Sequence, residues 1–115
     1  MNKFLKSFQF AIHGLKQVIR TELNMKLHLI SAFLVIVFGF IFSIHFFEWM
    51  IILLCIGMVW SAEIFNTVIE KQLDEFHPER NKKIGLLKDM SAAAVLVISF
   101  FSLIIACLIF IPKIF

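Results

Sequence analysis

Tyrosine is absent from this 115-residue chain, and glycine (4), proline (2) and cysteine (2) are scarce. The four glycines form no phosphate-cradling pattern, which excludes a P-loop or a dinucleotide fingerprint. A nucleotide bound here would have to be held by side chains and a metal. Cys55 and Cys107 fall in apolar runs without metal-ligand spacing, so they read as packing residues and imply no disulfide. The first apolar run follows a long amphipathic stretch, which does not fit a cleaved signal peptide. Charged residues make up only 17% of the chain, the formal net charge is +3, and no repeat or low-complexity segment appears. No nucleic-acid partner is expected.

Apolar residues fill the space these absences leave. The chain is 61% hydrophobic with fifteen phenylalanines and a mean hydropathy of +0.95, more apolar surface than a soluble domain of this length can hide. A single all-α integral membrane domain over residues 1–115 is therefore expected. Leu29 to Phe47 carries no formal charge, and Met90 to Pro112 is uncharged throughout; each is about as long as a bilayer requires. The run from Trp49 to Ala62 is shorter and reaches spanning length only by continuing through Glu63, Asn66 and Glu70. The expected spans are 28–47, 49–70 and 89–112, preceded by a surface helix over about 1–26.

That second span has to carry its acids into the membrane. Its Ile, Leu, Val and Phe residues contribute about −0.3 to −0.6 kcal/mol each to insertion, against roughly +2.5 to +3.5 kcal/mol for one carboxylate at mid-depth. One acid is tolerable and two at the centre are not. Glu63 is accordingly expected inside the membrane near the headgroups, with Glu70 about 10 Å further along at the aqueous boundary.

Basic residues set the orientation. Lys3, Lys6, Lys16, Arg20 and Lys26 precede the first span, and Lys71, Arg80, Lys82, Lys83 and Lys88 lie between the second and third. The turn between the first two spans has none, and only Lys113 follows the last. The positive-inside rule then puts the amino terminus and the 71–88 loop in the cytoplasm. Before the first span, Phe4, Leu5, Phe8, Ala11, Ile12, Leu15, Val18 and Ile19 recur at helical spacing opposite a polar side, as in a helix lying on the membrane surface. Glu22, the sole acid among the first 47 residues, stands close to where the chain enters the bilayer.

Glu63, Asn66 and Glu70 are spaced i, i+3 and i+7, so they share one helix face, which Asp74 extends. Such a face cannot look at lipid. Glu22, Lys88 and Asp89 are the polar groups available at the same depth. Two carboxylates from different helices suit a hard divalent cation such as Mg²⁺, completed by phosphate oxygens and water, and a lysine suits phosphate. A carboxylate at headgroup depth is placed to take a proton from an alcohol. The spacing equally allows a polar clamp that only joins helices.

"SAEIFNTVIEKQLD" followed by "KIGLLKDMSAAAV" resembles the prokaryotic diacylglycerol kinase family, which includes undecaprenol kinases. The resemblance extends over nearly the whole chain. It implies transfer of phosphate from ATP to a membrane lipid alcohol, undecaprenol or diacylglycerol. On matching positions it implies Glu63 as the general base with Asn66 orienting it, Glu22 and Glu70 as acids holding ATP-bound Mg²⁺, and Lys88 and Asp89 at the nucleotide. Lys3, Phe10 and Glu79 would add ATP contacts, and Trp49 and Ala92 would join Glu63 around the lipid. Phe10 stands where relatives often have tyrosine and Lys3 where some have arginine, which keeps stacking and charge but loses a hydroxyl and a bidentate fork. "EFHPERNKK" carries its His-Pro early, so a nucleotide contact by Glu79, Arg80 or Asn81 departs from the common pattern. The family further implies a homotrimer with composite sites, and Ser91 to Ala94 suits close helix contact. Two readings compete: a small proton-coupled multidrug-type transporter with Glu63 as carrier, and a non-catalytic membrane scaffold.

Overall fold

The computed structural model describes residues 2–79 and 81–115. These form helices α1 (Lys3–Thr21), α2 (Leu23–Ile41), α3 (Phe46–Phe76) and α4 (Lys82–Ile114). Helices α2, α3 and α4 are each long and apolar enough to cross a membrane. Helix α3 packs most extensively on α4, while α2 lies against α3, and α1 touches α2 and α3.

The packing is that of a membrane bundle. Among the described residues the buried apolar core is limited to Val18, Met25, Ala32, Ile44, Ile52 and Ile109, while Phe33, Phe40, Leu54, Leu96, Leu103 and Leu108 lie exposed. Water would not tolerate such a surface, whereas lipid tails are as apolar as the side chains themselves. At 1.5 Å per residue, the 31 residues of α3 and the 33 of α4 run about 46 and 50 Å, well beyond a hydrocarbon core of about 30 Å. The excess lies at the ends that carry Glu70 to Phe76 and Lys82 to Lys88.

Helix α1 starts on Asn2, whose side chain accepts from the Leu5 N–H at 2.9 Å, a standard way to satisfy a free helix-end donor. It stops without glycine or proline. Glu22 takes an extended conformation (φ −106°, ψ 117°) and serves as the last cap of α1 and the first of α2. The Thr21 hydroxyl donates to the Gln17 carbonyl at 2.9 Å, a back-bond of the kind that bends helices, and also lies 3.1 Å from Glu22 Oε2. The helix boundary expected near residue 26 thus lies at Glu22, and Lys26 belongs to α2.

The α2–α3 corner is equally specific. Ser43 adopts φ 50°, the Ile44 N–H reaches the Gly39 carbonyl at 3.1 Å, and the Ser43 N–H reaches Phe40 at 3.3 Å. These two bonds make a Schellman cap with serine in the left-handed position. Helix α2 therefore closes at Ile41, while the uncharged run continues through the turn to Phe47. Across the turn, His45 and Glu48 form a capping box, and Glu48 also pairs with Lys113 at 3.1 Å, joining the start of α3 to the end of α4.

Gly39 sits beneath the Trp49 indole so closely that a Cβ there would lie 2.5 Å from the ring. A bulky side chain must displace a rigid indole that also packs on Phe40 at 4.9 Å. Gly39→Leu is expected to destabilise the bundle by about 1–3 kcal/mol, measured as a lower unfolding midpoint in micelles. An unchanged midpoint would contradict this corner.

Candidate functional site

The acids of α3 converge where that helix leaves its apolar neighbours. Glu63, Asn66 and Thr67 are its buried polar residues, Glu63 being 2% exposed. Four residues apart on one face, the Asn66 amide donates to Glu70 Oε1 at 3.2 Å. The Ser91 hydroxyl of α4 donates to Asn66 Oδ1 at 2.7 Å, so Asn66 is held at both ends of its amide. One turn beyond Glu70, Asp74 pairs with Lys88 of α4. Two cross-helix links therefore bring Lys88 and Ser91 alongside the α3 stripe.

Glu22 approaches from the break between α1 and α2. Its Oε2 lies 3.5 Å from Lys71 Nζ, and Glu63 is within electrostatic reach of both Glu22 and Glu70. Asn24 and Asn66 flank Glu63. From α2, His28 Nε2 comes to 3.9 Å of Glu63 Oε2, beyond hydrogen-bond range. Among the described residues, the buried side-chain atoms without a hydrogen-bond partner are Glu63 Oε2 and Thr67 Oγ1 here and the Ser99 and Ser102 hydroxyls further along α4. An orphaned carboxylate oxygen in an apolar setting is costly unless something arrives to meet it.

Among the described residues, no group of three His, Cys, Asp or Glu could cage a metal. Glu22 and Glu70 are half-buried carboxylates on different elements, the type of donor of which Mg²⁺ commonly takes one or two before substrate phosphates and water complete its shell.

Other residues singled out in the sequence lie apart within one chain. Lys3 and Phe10 are exposed on α1, Phe10 about 18 Å from Glu22 by helical rise. Trp49 is some 21 Å before Glu63 on α3, at the opposite end, where it packs on Gly39 and Phe40. Asp89 and Ala92 are exposed on α4 beside Lys88 and Ser91. Glu79 lies in the α3–α4 loop, 3.5 Å from His77 Nδ1, and Arg80 is outside the described residues.

Sequence reasoning missed His28, Asn24, Thr67 and Lys71. His28 had a usable signal. Met25 and Ala32 are buried, and His28 stands three residues after one and four before the other, on the face of α2 that meets α3.

Beside this cluster, α2, α3 and α4 enclose a cleft of about 380 Å³. His28 lines it together with apolar groups such as Val35, Ile52, Ile56 and Leu103 and with the hydroxyls of Ser31, Ser99 and Ser102. His28, which approaches Glu63, is the residue shared by the acidic cluster and this cleft.

Comparison with known proteins gives the same direction. The family model for prokaryotic diacylglycerol kinase matches residues 9–110. The undecaprenol kinase of Bacillus subtilis (strain 168) is 40% identical over 113 residues, covering 98% of this chain and 92% of that protein. A lipid kinase leaves no room for the transporter and scaffold readings as its principal role. With an acidic, amide-braced stripe on α3, a lysine and serine from α4 and a match over nearly its full length, the chain belongs to the prokaryotic diacylglycerol kinase family and is a lipid kinase.

Proposed function

We propose that this lipid kinase transfers the γ-phosphate of ATP to a membrane lipid alcohol at the cytoplasmic face of a bacterial inner membrane, with undecaprenol the favoured acceptor. The acceptor follows the name of the Bacillus subtilis relative; diacylglycerol is the alternative. The observation that carries the reading is the buried, unpartnered Glu63 Oε2 at the inner end of the stripe that continues through Asn66 and Glu70. Glu63 is the general base. It takes the hydroxyl proton as the alcohol oxygen bonds to the γ-phosphorus and the bond from that phosphorus to the bridging oxygen breaks, releasing ADP.

Asn66, fixed by Glu70 and Ser91, keeps the Glu63 end of the stripe oriented. Glu22 and Glu70 hold Mg²⁺, which when bound neutralises charge on the triphosphate. Lys88 supplies a cation for the phosphates while Asp74 keeps it in place. Little more is required, because phosphoryl transfer depends chiefly on positioning and charge neutralisation. Lys3, Phe10, Glu79 and Asp89 stand on surfaces that a second subunit would bring to this site in a homotrimer with composite sites. Helix α1, apolar on one side and basic on the other, would then lie along the cytoplasmic leaflet.

Glu63→Gln is expected to reduce turnover at least ~10²-fold, the usual scale of a general-base contribution, with assembly intact. ADP release from purified protein with ATP, Mg²⁺ and undecaprenol measures it. Wild-type turnover in that variant would refute the assignment. Glu22→Gln and Glu70→Gln are each expected to shift the Mg²⁺ concentration for half-maximal rate upward by about tenfold, consistent with loss of a charged ligand. An unaltered Mg²⁺ titration in both would remove them from the metal site.

A further inference from the structure

Asn66 is 5% exposed, and its amide has two N–H donors and a carbonyl oxygen to satisfy. Its polar neighbours along the α3 stripe are carboxylates, which accept only when ionised. Glu70 takes one N–H at 3.2 Å, and the same amide flanks Glu63. The two acids therefore decide which end of the amide faces them and leave Oδ1 turned toward α4. They do not set the tilt of the amide plane. The last torsion of an asparagine joins an sp³ carbon to an sp² carbon and is broad, so the rotamer does not set it either.

The far end of the amide is held from another helix. The Ser91 hydroxyl donates to Asn66 Oδ1 at 2.7 Å, whereas the buried hydroxyls of Ser99 and Ser102, further along α4, have no partner among the described residues. Met90, Ala92, Ala93 and Ala94 around it carry no side-chain donor that could take its place. Three residues before Ser91 on α4, Lys88 makes its own bond to Asp74, eight residues beyond Asn66 on α3. Two rungs thus join the helices. The Ser91 rung is the one at the Glu63 end of the stripe.

We propose that Ser91 is a positioning residue for phosphoryl transfer: by anchoring the carbonyl end of the Asn66 amide it sets the plane in which the N–H groups meet Glu63 and Glu70, and so the direction in which Glu63 is presented to the alcohol. This rests on the reading of Glu63 as general base. Ser91 acts through Asn66 alone and keeps its proton throughout the transfer. Without its hydroxyl, Oδ1 becomes a buried acceptor with no partner, and the amide turns about its last bond, loosening its hold on both acids.

The test compares Ser91→Ala, Asn66→Ala, the two combined and Ser91→Thr in the full-length protein in micelles with undecaprenol, ATP and Mg²⁺. Ser91→Ala is expected to lower kcat about tenfold, the scale of one hydrogen bond, with the KM for ATP and for undecaprenol unchanged. Ser91→Thr, which keeps the hydroxyl, recovers most of the loss. Added to Asn66→Ala, Ser91→Ala costs no further rate, because its effect passes through that amide; a general weakening of the α3–α4 contact would slow both backgrounds equally. A second readout needs no turnover. In NMR spectra of protein carrying isotope-labelled asparagine, side-chain N–H pairs arise from Asn2, Asn24, Asn66 and Asn81, and Asn66→Ala identifies its own. Ser91→Ala shifts the Asn66 pair and leaves those of the exposed Asn2 and Asn81 in place. Wild-type kcat in Ser91→Ala, additive losses in the double variant, or an unmoved Asn66 pair each overturns the proposal. If Glu63→Gln is inactive while the Asn66 pair stays unmoved in Ser91→Ala, only the role of Ser91 fails; if Glu63→Gln is fully active, the base assignment fails and the proposal with it.

Discussion

A carboxylate that is 2% exposed inside a membrane bundle, with an oxygen left unpartnered among the described residues, is the constraint around which this protein is built. Removing such a group from water costs several kcal/mol unless polar neighbours compensate. The chain supplies that compensation from separate elements. Asn66 comes from the same helix face and is itself held by Ser91 of α4, and Asn24 and His28 come from α2, while Glu70 and the Glu22 of the helix break are like charges whose nearness adds to the cost. Each is positioned by its own local feature, so the cluster is a meeting of helix ends and faces.

The two ends of the bundle divide the work. At one, the Schellman cap at Ser43, the capping box of His45 and Glu48, and the Glu48–Lys113 pair close the helices tightly and leave Trp49 locked over Gly39. At the other, α3 and α4 outrun the membrane thickness and carry acids, amides and lysines into a polar zone. Between them the sparse core of Ile44, Ile52 and Ile109 ties α3 to α4 and leaves a cleft beside α2. A lipid kinase requires this division, because its acceptor arrives from hydrocarbon and its donor from water.

The sequence made much of this legible for identifiable reasons. The spans declared themselves by uncharged length, and the i, i+3, i+7 stripe followed from helical geometry once α3 was taken to continue past Ala62. Asn66 bonding Glu70 shows that the stripe is real. The break at Glu22 was not legible, since no glycine or proline marks it and the Thr21 back-bond that accompanies it depends on conformation. The corner at Ser43 was hidden because the apolar run continues through it, and a serine in a left-handed cap leaves no compositional trace. His28 was overlooked as one of four scattered histidines. Its meaning depends on which face of α2 meets α3, a tertiary fact that periodicity only hints at through Met25 and Ala32.

The central claim is that Glu63, buried within the bundle, is the group that meets the lipid hydroxyl. A hydrophobic carbodiimide reacts with carboxyl groups in apolar surroundings, so mass spectrometry of the labelled protein reports directly on that setting. The account predicts modification concentrated at Glu63, in step with loss of kinase activity, and suppressed by undecaprenol. Labelling spread over Glu48, Glu75 and Glu79 with Glu63 unreacted, or labelling of Glu63 that the lipid alcohol leaves unchanged, would contradict it.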